Sequence, residues 1–370
     1  MLDPKRLLDN FLDMVKIDSP SFKESAMAEY LKDFAKKQGW EVRVDAAGQK
    51  AGSNTGNVIV RIPGNGPGEP MAFSAHMDCV PPCLGIEPVV EDGIVTSAGE
   101  TILGSDDKAG IAAILEAALH MGEENAQHPD LFLLFTIAEE SGMHGAKNLD
   151  PADLPVKNVV VTDSGGPIGT VTVKAPAKAG ITVTCHGKPA HAGMEPEKGV
   201  SAIQLAADAI ARMNLLRVDE ETTANLGSIS GGTVTNIVAE TCSFTAEARS
   251  LDNAKLRWQL DHMHSCCEEA ARKIGGTIDF DYEISYPALD VPEDDPLLQR
   301  AAACCKALDL PFAAVPCGGG SDANILHGKD YRVINISNGM TNVHTTSEKI
   351  AVQDIVDTAR MIAEFMKSPQ

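Results

Sequence analysis

The sequence predicts an α/β protein whose sheet-bearing domain is interrupted by an inserted α+β unit, and three observations carry that expectation. Short β-branched or aromatic runs (EVRVD, NVIVRIP, MAFSAHMD, LFLLFTIAEE, NVVVTD) alternate with helical segments in the first half of the chain, the pattern of an α/β layer. The middle of the chain reads strand, helix, two strands, helix, strand, which is the order of the ferredoxin-like split motif. The chain has 370 residues, more than one hydrophobic core usually organises, and its 44% hydrophobic content can fill two.

Taken in order, Asp3 and Pro4 read as a helix cap and first turn, after which Leu7, Leu8, Phe11, Leu12 and Val15 recur on one helical face. A second amphipathic helix carries Met27, Tyr30, Leu31 and Phe34, with Gly39 as its stop. The runs LFLLFTI and VVVT lack alternation, as expected of strands covered on both faces. Between them DDKAGIAAILEAALHMG places Ile111, Ile114, Leu115 and Ala118 at helical period.

The inserted unit then reads GITVTCHG as strand, VSAIQLAADAIARMN as helix and GSISGGTVTNIVAETCSFTAEARS as two strands. It closes with NAKLRWQLDHMHSCCEEAARKIG as helix and TIDFDYEISYP as strand. PALDVPEDDPLLQ reads as a linker, and AAACCKAL, YRVINIS and a last helix from Val352 return to the first pattern. The expected domains are therefore a discontinuous one over 1–177 and 291–370 and an inserted one over 178–290.

Composition narrows the function. A formal net charge of -21 opposes binding to nucleic acid or to anionic membrane, both of which need a basic footprint. Part of that acidity is available to divalent cations. Nine cysteines, an odd number with vicinal pairs at Cys266–Cys267 and Cys304–Cys305, do not form a disulfide framework, and a reducing cytoplasm fits them best. The amino-terminal segment alternates charged and apolar residues at helical spacing, so it reads as neither signal peptide nor membrane anchor.

The chemistry collects at strand ends. In AFSAHMDCV, His76 and Asp78 are two apart, on one face near the carboxyl end of a strand, where open α/β sheets bind ligands. A neutral imidazole there can bind a metal while Asp78 orients the ring through its other nitrogen. LGSDDKAG sets two aspartates in a glycine-flanked turn; helix capping accounts for one, and cation binding for the other. LFLLFTIAEESG ends a very apolar strand with Glu139 and Glu140. One of these can hold a metal while the other activates water as general base. Asp163 in VVVTDSGG and His344 in GMTNVHTTSE repeat the pattern after further strands. A solvated strand end or a capped helix accounts for any one of these residues; their convergence in one parallel sheet favours a metal site. Cys79 and Cys83 lie nearby in sequence but lack a partner pair, and read as small buried residues.

Taken together, AHMD, LGSDDKAG, IAEESGMHGA, TDSGGPIG, GKPAHAG and NVHTTSE occur in the order and approximate spacing of the M20 group of cocatalytic zinc peptidases. The resemblance covers nearly the whole chain and is strongest to the tripeptide aminopeptidases of the peptidase T type. It implies a zinc-peptidase-like catalytic domain with an inserted lid and dimerisation domain, and hence a homodimer.

Carried onto this sequence, the resemblance makes Asp106 a bridging ligand, with His76 and Asp163 completing one zinc site and Glu140 and His344 the other. Glu139 becomes the general base and Asp78 the residue orienting His76. His191 of GKPAHAG becomes an oxyanion donor reaching the partner subunit's site, and Asn236 and Arg249 hold the substrate's terminal carboxylate. GGGSDAN, with Gly319 and Gly320, matches the substrate loop. The implied cofactor is two Zn2+, with Co2+ or Mn2+ as substitutes, and the implied substrate is a short peptide. An N-acyl amino acid amidohydrolase or a carboxypeptidase would keep the same ligands. A non-catalytic metal-binding protein would lack a base or a ligand, and none is missing. Cys79 stands where the group usually has threonine, and Ser164 separates the aspartate of TDSGG from its glycines.

Overall fold

A computed structural model describes residues 2–368. The chain forms two compact units: the first takes the chain up to Val173, Val291–Cys317 and the chain from Ser321, and the second takes Lys174–Asp290 with Gly318–Gly320.

In the first unit the most apolar runs are the central strands. Met71–His76 and Leu131–Thr136 are buried at every position, because helices cover both sheet faces. Strand order across the sheet is Glu41–Val44, Val58–Ile62, Leu131–Thr136, Met71–His76, Asn158–Ser164, Arg332–Ser337 and Thr170–Ala175. The middle four run parallel, so their carboxyl ends open onto one edge. Val58–Ile62 and Thr170–Ala175 flank them antiparallel, and Glu41–Val44 pairs antiparallel with Val58–Ile62.

Helix Pro4–Val15 begins where Asp3 accepts the amides of Lys5 and Arg6, and it buries Leu7, Phe11, Met14 and Val15. Helix Ser25–Lys37 buries Met27, Ala28, Leu31 and Ala35, while Tyr30 and Phe34 stay half-buried at its edge. Helix Ser105–Glu123 is apolar from Ala109 to Leu115 and almost wholly buried, packed against helix Val352–Met366. It sits close to the sheet because residue 110 is glycine: a Cβ there would lie 2.2 Å from the Thr162 hydroxyl.

The stretch read as a linker holds more structure than that reading allowed. Helix Pro296–Ala307 starts within it, with the Asp295 carboxylate accepting the amides of Leu297 and Leu298. Asp295–Pro296 is the same cap-and-proline signal as Asp3–Pro4, hidden by the acidic run before it. A small sheet of Glu87–Glu91, Ile94–Ala98 and Lys349–Ala351 has no counterpart in the expectations, since its strands are mostly exposed and weakly patterned.

The second unit is an antiparallel sheet in the order Leu216–Arg217, Thr222–Gly231, Thr241–Ser250, Ala177–His186, Thr277–Tyr286. Helices Ala202–Arg212 and Asn253–Ile274 pack on it. Chain order and strand order are those of the split βαβ motif. Strand Ala177–His186 alternates buried with less buried positions, and Ile181, Val183 and Cys185 share a core with Leu205, Phe244, Leu260 and Met263.

Candidate metal centre

All six residues read as ligands or base lie in the first unit, at or beyond the carboxyl ends of the four parallel strands and in the first turn of helix Ser105–Glu123. His76 is the last residue of its strand and is buried; its Nε2 lies 3.0 Å from Asp106 Oδ1. His344 follows strand Arg332–Ser337, half-exposed, with Nε2 3.3 Å from the other Asp106 oxygen and 3.0 Å from Glu140 Oε1. The Asp106 carboxylate therefore stands between two imidazoles, one on each oxygen. His76, Asp106 and Glu140 bring ligand atoms within 4.8 Å of one another, as do His76, Glu139 and Asp163. Asp163 is fixed from behind by Asn335, which accepts its amide at 3.0 Å and donates to its carbonyl at 2.7 Å.

Asp106 and Asp107 depart from helical backbone angles, and their carboxylates meet different partners. Asp106 faces the imidazoles. Asp107 is buried against Asn338 Nδ2 at 3.0 Å and the Thr162 hydroxyl at 3.4 Å.

Asp78 faces His76 with both its main chain and its carboxylate. His76 Nδ1 meets the Asp78 backbone carbonyl at 2.9 Å, while the carboxylate Oδ1 is 3.5 Å away. The carboxylate also accepts the amides of Glu139 and Glu140 and the Ser21 hydroxyl. Asp78 thus stands against the imidazole and at the same time holds the glutamate turn with its side chain.

Burial disfavours the charged form of Asp106, yet hydrogen bonds from His344 and His76 outweigh it and hold this carboxyl below the usual range. His344 is correspondingly raised to about 10 by Asp106 and then Glu140. Burial opposes the imidazolium of His76, but Asp106 and Asp78 raise it well above its ordinary value. Burial, followed by the charge of Asp106, pushes Asp163 up. Burial also pushes Glu139 up, reinforced by the charges of Asp322, Glu140 and Asp78.

Donor chemistry suits divalent metals with nitrogen and oxygen preference. Two imidazoles and the carboxylates of Asp106, Glu139, Glu140 and Asp163 converge, and those four acids carry the formal charge that two divalent ions cancel. Cys79 stands apart from this set: its Sγ donates to the Asp106 carbonyl at 3.8 Å, and burial pushes its thiol up to about 12. Cys79 and Cys83 are both free, buried thiols. Among the described residues nothing hydrogen-bonds the Glu139 carboxylate, and no helix is long and apolar enough to cross a membrane.

In the second unit, His191 is exposed on a loop, and its Nδ1 accepts the amides of Gly193 and Met194, each at 3.2 Å. That fixes the neutral tautomer with a proton on Nε2. Asn236 is exposed and its carbonyl accepts the Ala192 amide. Arg249 is already engaged: Nε and Nη2 meet the two Glu247 oxygens at 2.9 and 3.3 Å, and Nη1 meets the Gly318 carbonyl at 3.3 Å. Gly319 has open space where a Cβ would be; at Gly320 one would lie 2.3 Å from the Tyr286 ring, so packing explains that glycine.

Three buried acids near the centre escaped the sequence reading. Glu24 accepts the amides of Phe22 and Ala138 and the Ser53 hydroxyl. Asp322, in the motif read for its glycines, accepts the Thr136 hydroxyl at 2.6 Å, keeps Oδ1 without a partner, and is pushed up to about 6 by burial. Glu348, four residues after His344, accepts four hydrogen bonds from residues 103–106.

The comparisons with known proteins agree with this architecture. The family model of the peptidase dimerisation domain matches residues 177–275, and that of peptidase family M28 matches residues 57–180. The chain is 40% identical to the uncharacterized protein YqjE of Bacillus subtilis (strain 168), with 99% of each covered. It is similar in structure to the aminopeptidase PepT from Bacillus cereus ATCC 10987, at 38% identity and a TM-score of 0.95, covering 99% of this chain and 98% of that one. It is also similar to a tripeptidase from Staphylococcus aureus, at 35% identity, a TM-score of 0.95 and the same coverage.

Proposed function

The chain belongs to the M20 family of metallopeptidases and is a hydrolase resembling peptidase T, and from that premise we propose that it releases the amino-terminal residue of tripeptides at a dinuclear zinc centre. The observation that carries this reading is the Asp106 carboxylate set between His76 and His344. Full-length similarity to an aminopeptidase and to a tripeptidase supports the substrate class.

His76, Asp106 and Asp163 would hold one ion and Asp106, Glu140 and His344 the other, with Co2+ or Mn2+ able to substitute. Bound there, two such ions lower the pKa of water and polarise the scissile carbonyl. Glu139 takes the proton from the attacking water and delivers it to the leaving amine, a task that suits a buried carboxyl whose pKa lies above the ordinary range. Asp78 keeps Glu139 and Glu140 in place by accepting both of their amides.

The oxyanion falls to the Nε2 proton of His191, in a homodimer formed through the second unit, where the dimerisation-domain match lies. Asn236, Arg249, Gly319 and Gly320 contact the carboxyl end of the peptide. For Arg249 to receive a carboxylate its pairing with Glu247 must open, so Glu247→Gln is expected to lower KM for tripeptides. A KM that rises or stays fixed counts against Arg249 as the anchor. A cytoplasmic location fits the free, buried thiols of Cys79, Cys83, Cys266, Cys267, Cys304 and Cys305.

Substrate class is tested with trialanine, N-acetyl-trialanine and dialanine. Release of the first residue from trialanine alone is the expected result. Cleavage of the acetylated peptide alone would make the protein an N-acyl amino acid amidohydrolase instead.

A further inference from the structure

Glu348 is buried to 1% exposure, yet it is no part of the proposed ligand set. Its Oε2 accepts the amides of Leu103 and Gly104 at 2.8 and 2.9 Å; its Oε1 accepts the Ser105 hydroxyl at 2.6 Å and the Asp106 amide at 3.1 Å. These are four consecutive residues ending at the proposed bridging aspartate. Glu348 also closes the turn that carries His344, because its own amide donates to the Thr345 carbonyl at 3.1 Å. One side chain therefore ties the loop of Asp106 to the loop of His344, two residues more than two hundred positions apart in sequence.

We propose that Glu348 is a positioning residue of the metal centre, fixing Asp106 in the bridging orientation and setting its distance to His344. The inference rests on the ligand assignment proposed above. A carboxylate offers acceptors only, so it satisfies all four donors at once, and charge-assisted bonds to amides are the stronger kind.

An amide in its place cannot do this. In Glu348→Gln one position becomes an NH2 group. Toward Leu103 and Gly104 it would oppose two backbone donors. Toward Ser105 and Asp106 it opposes one, because the Ser105 hydroxyl can turn and accept. The glutamine therefore settles with its NH2 toward the Asp106 amide, and the disturbance falls on the bridging residue.

Metal affinity measured by competition with a chelating indicator tests this directly, with activity as a second readout. Glu348→Gln is expected to bind metal about 10- to 100-fold more weakly, the usual cost of losing a partner that orients a ligand. Its kcat should recover when metal is added in excess. Glu116→Gln is the control, since Glu116 is equally buried but pairs with Arg6. It should lower the melting temperature and leave metal affinity unchanged, which separates positioning from general stability.

Should Glu348→Gln fail to fold, Ser105→Ala decides. It removes one of the four bonds, and about a fivefold loss of metal affinity is expected, the worth of one hydrogen bond. Unchanged affinity in the deciding variant overturns the positioning role. A wild-type chain that binds fewer than two divalent ions instead overturns the ligand assignment beneath it.

Discussion

At the scale of single residues, the proposed centre divides groups that hold cations from a group that moves a proton. Glu139→Ala is expected to abolish turnover while about two metal ions remain bound, because it removes the proposed base and none of the proposed ligands. Asp106→Ala should lose metal and turnover together. Turnover retained in Glu139→Ala would remove the assignment of the base. The histidines add a pH dependence whose sign is fixed. His344 is raised to about 10 in the metal-free chain, above its unfolded value near 6.5. Its stabilising contribution is complete below about pH 6.5 and lost as pH rises through about 10. The melting-temperature gap between chelated wild type and His344→Ala should therefore narrow as pH increases over that window. Half exposure keeps the gap small. Metal displaces the same protons, so apparent metal affinity should rise over the same window.

Elements explain why some of this was legible in the sequence and some was not. His76, Glu139, Glu140 and Asp163 each end an unbroken apolar run, so polarity changes abruptly at the sheet edge and the eye is drawn there. His344 and His191 stood out through motif resemblance. Glu24, Asp322 and Glu348 gave no local signal, since their partners are amides and hydroxyls mostly far away in sequence, more than 240 positions in the case of Glu348. The further partners of the Asp78 side chain, the amides of Glu139 and Glu140, gave no signal for the same reason: they lie on a neighbouring turn. The linker reading missed the helix at Pro296 because acidic residues masked its cap. Helix Ser105–Glu123 offers an element-scale test. Gly110→Ala would set a methyl 2.2 Å from the Thr162 hydroxyl and 2.3 Å from Asp107 Oδ1. The helix must move off the sheet, costing about 1–3 kcal/mol. Thermal unfolding should show that loss together with weaker metal binding; a variant as stable as wild type would show that the helix has room to spare.

At the scale of the whole molecule, strand order places the proposed ligands at the carboxyl ends of one parallel sheet, and the second unit supplies an antiparallel sheet of the kind matched by the dimerisation domain. Sedimentation is expected to give a dimer, and Phe244→Ala in the core of the second unit should cost about 3–5 kcal/mol. An unaltered melting profile in that variant would contradict the packing described. The acidic composition and the four converging carboxylates make cation binding the point on which the account turns. The most direct test is release of the amino-terminal residue from trialanine by wild type and Glu139→Ala, each with its zinc content counted and each repeated after chelation. The account predicts two zinc ions in both proteins, turnover only in the wild type, and loss of that turnover on chelation. Undiminished turnover by the chelated wild type, after its metal has been shown to be gone, would contradict it.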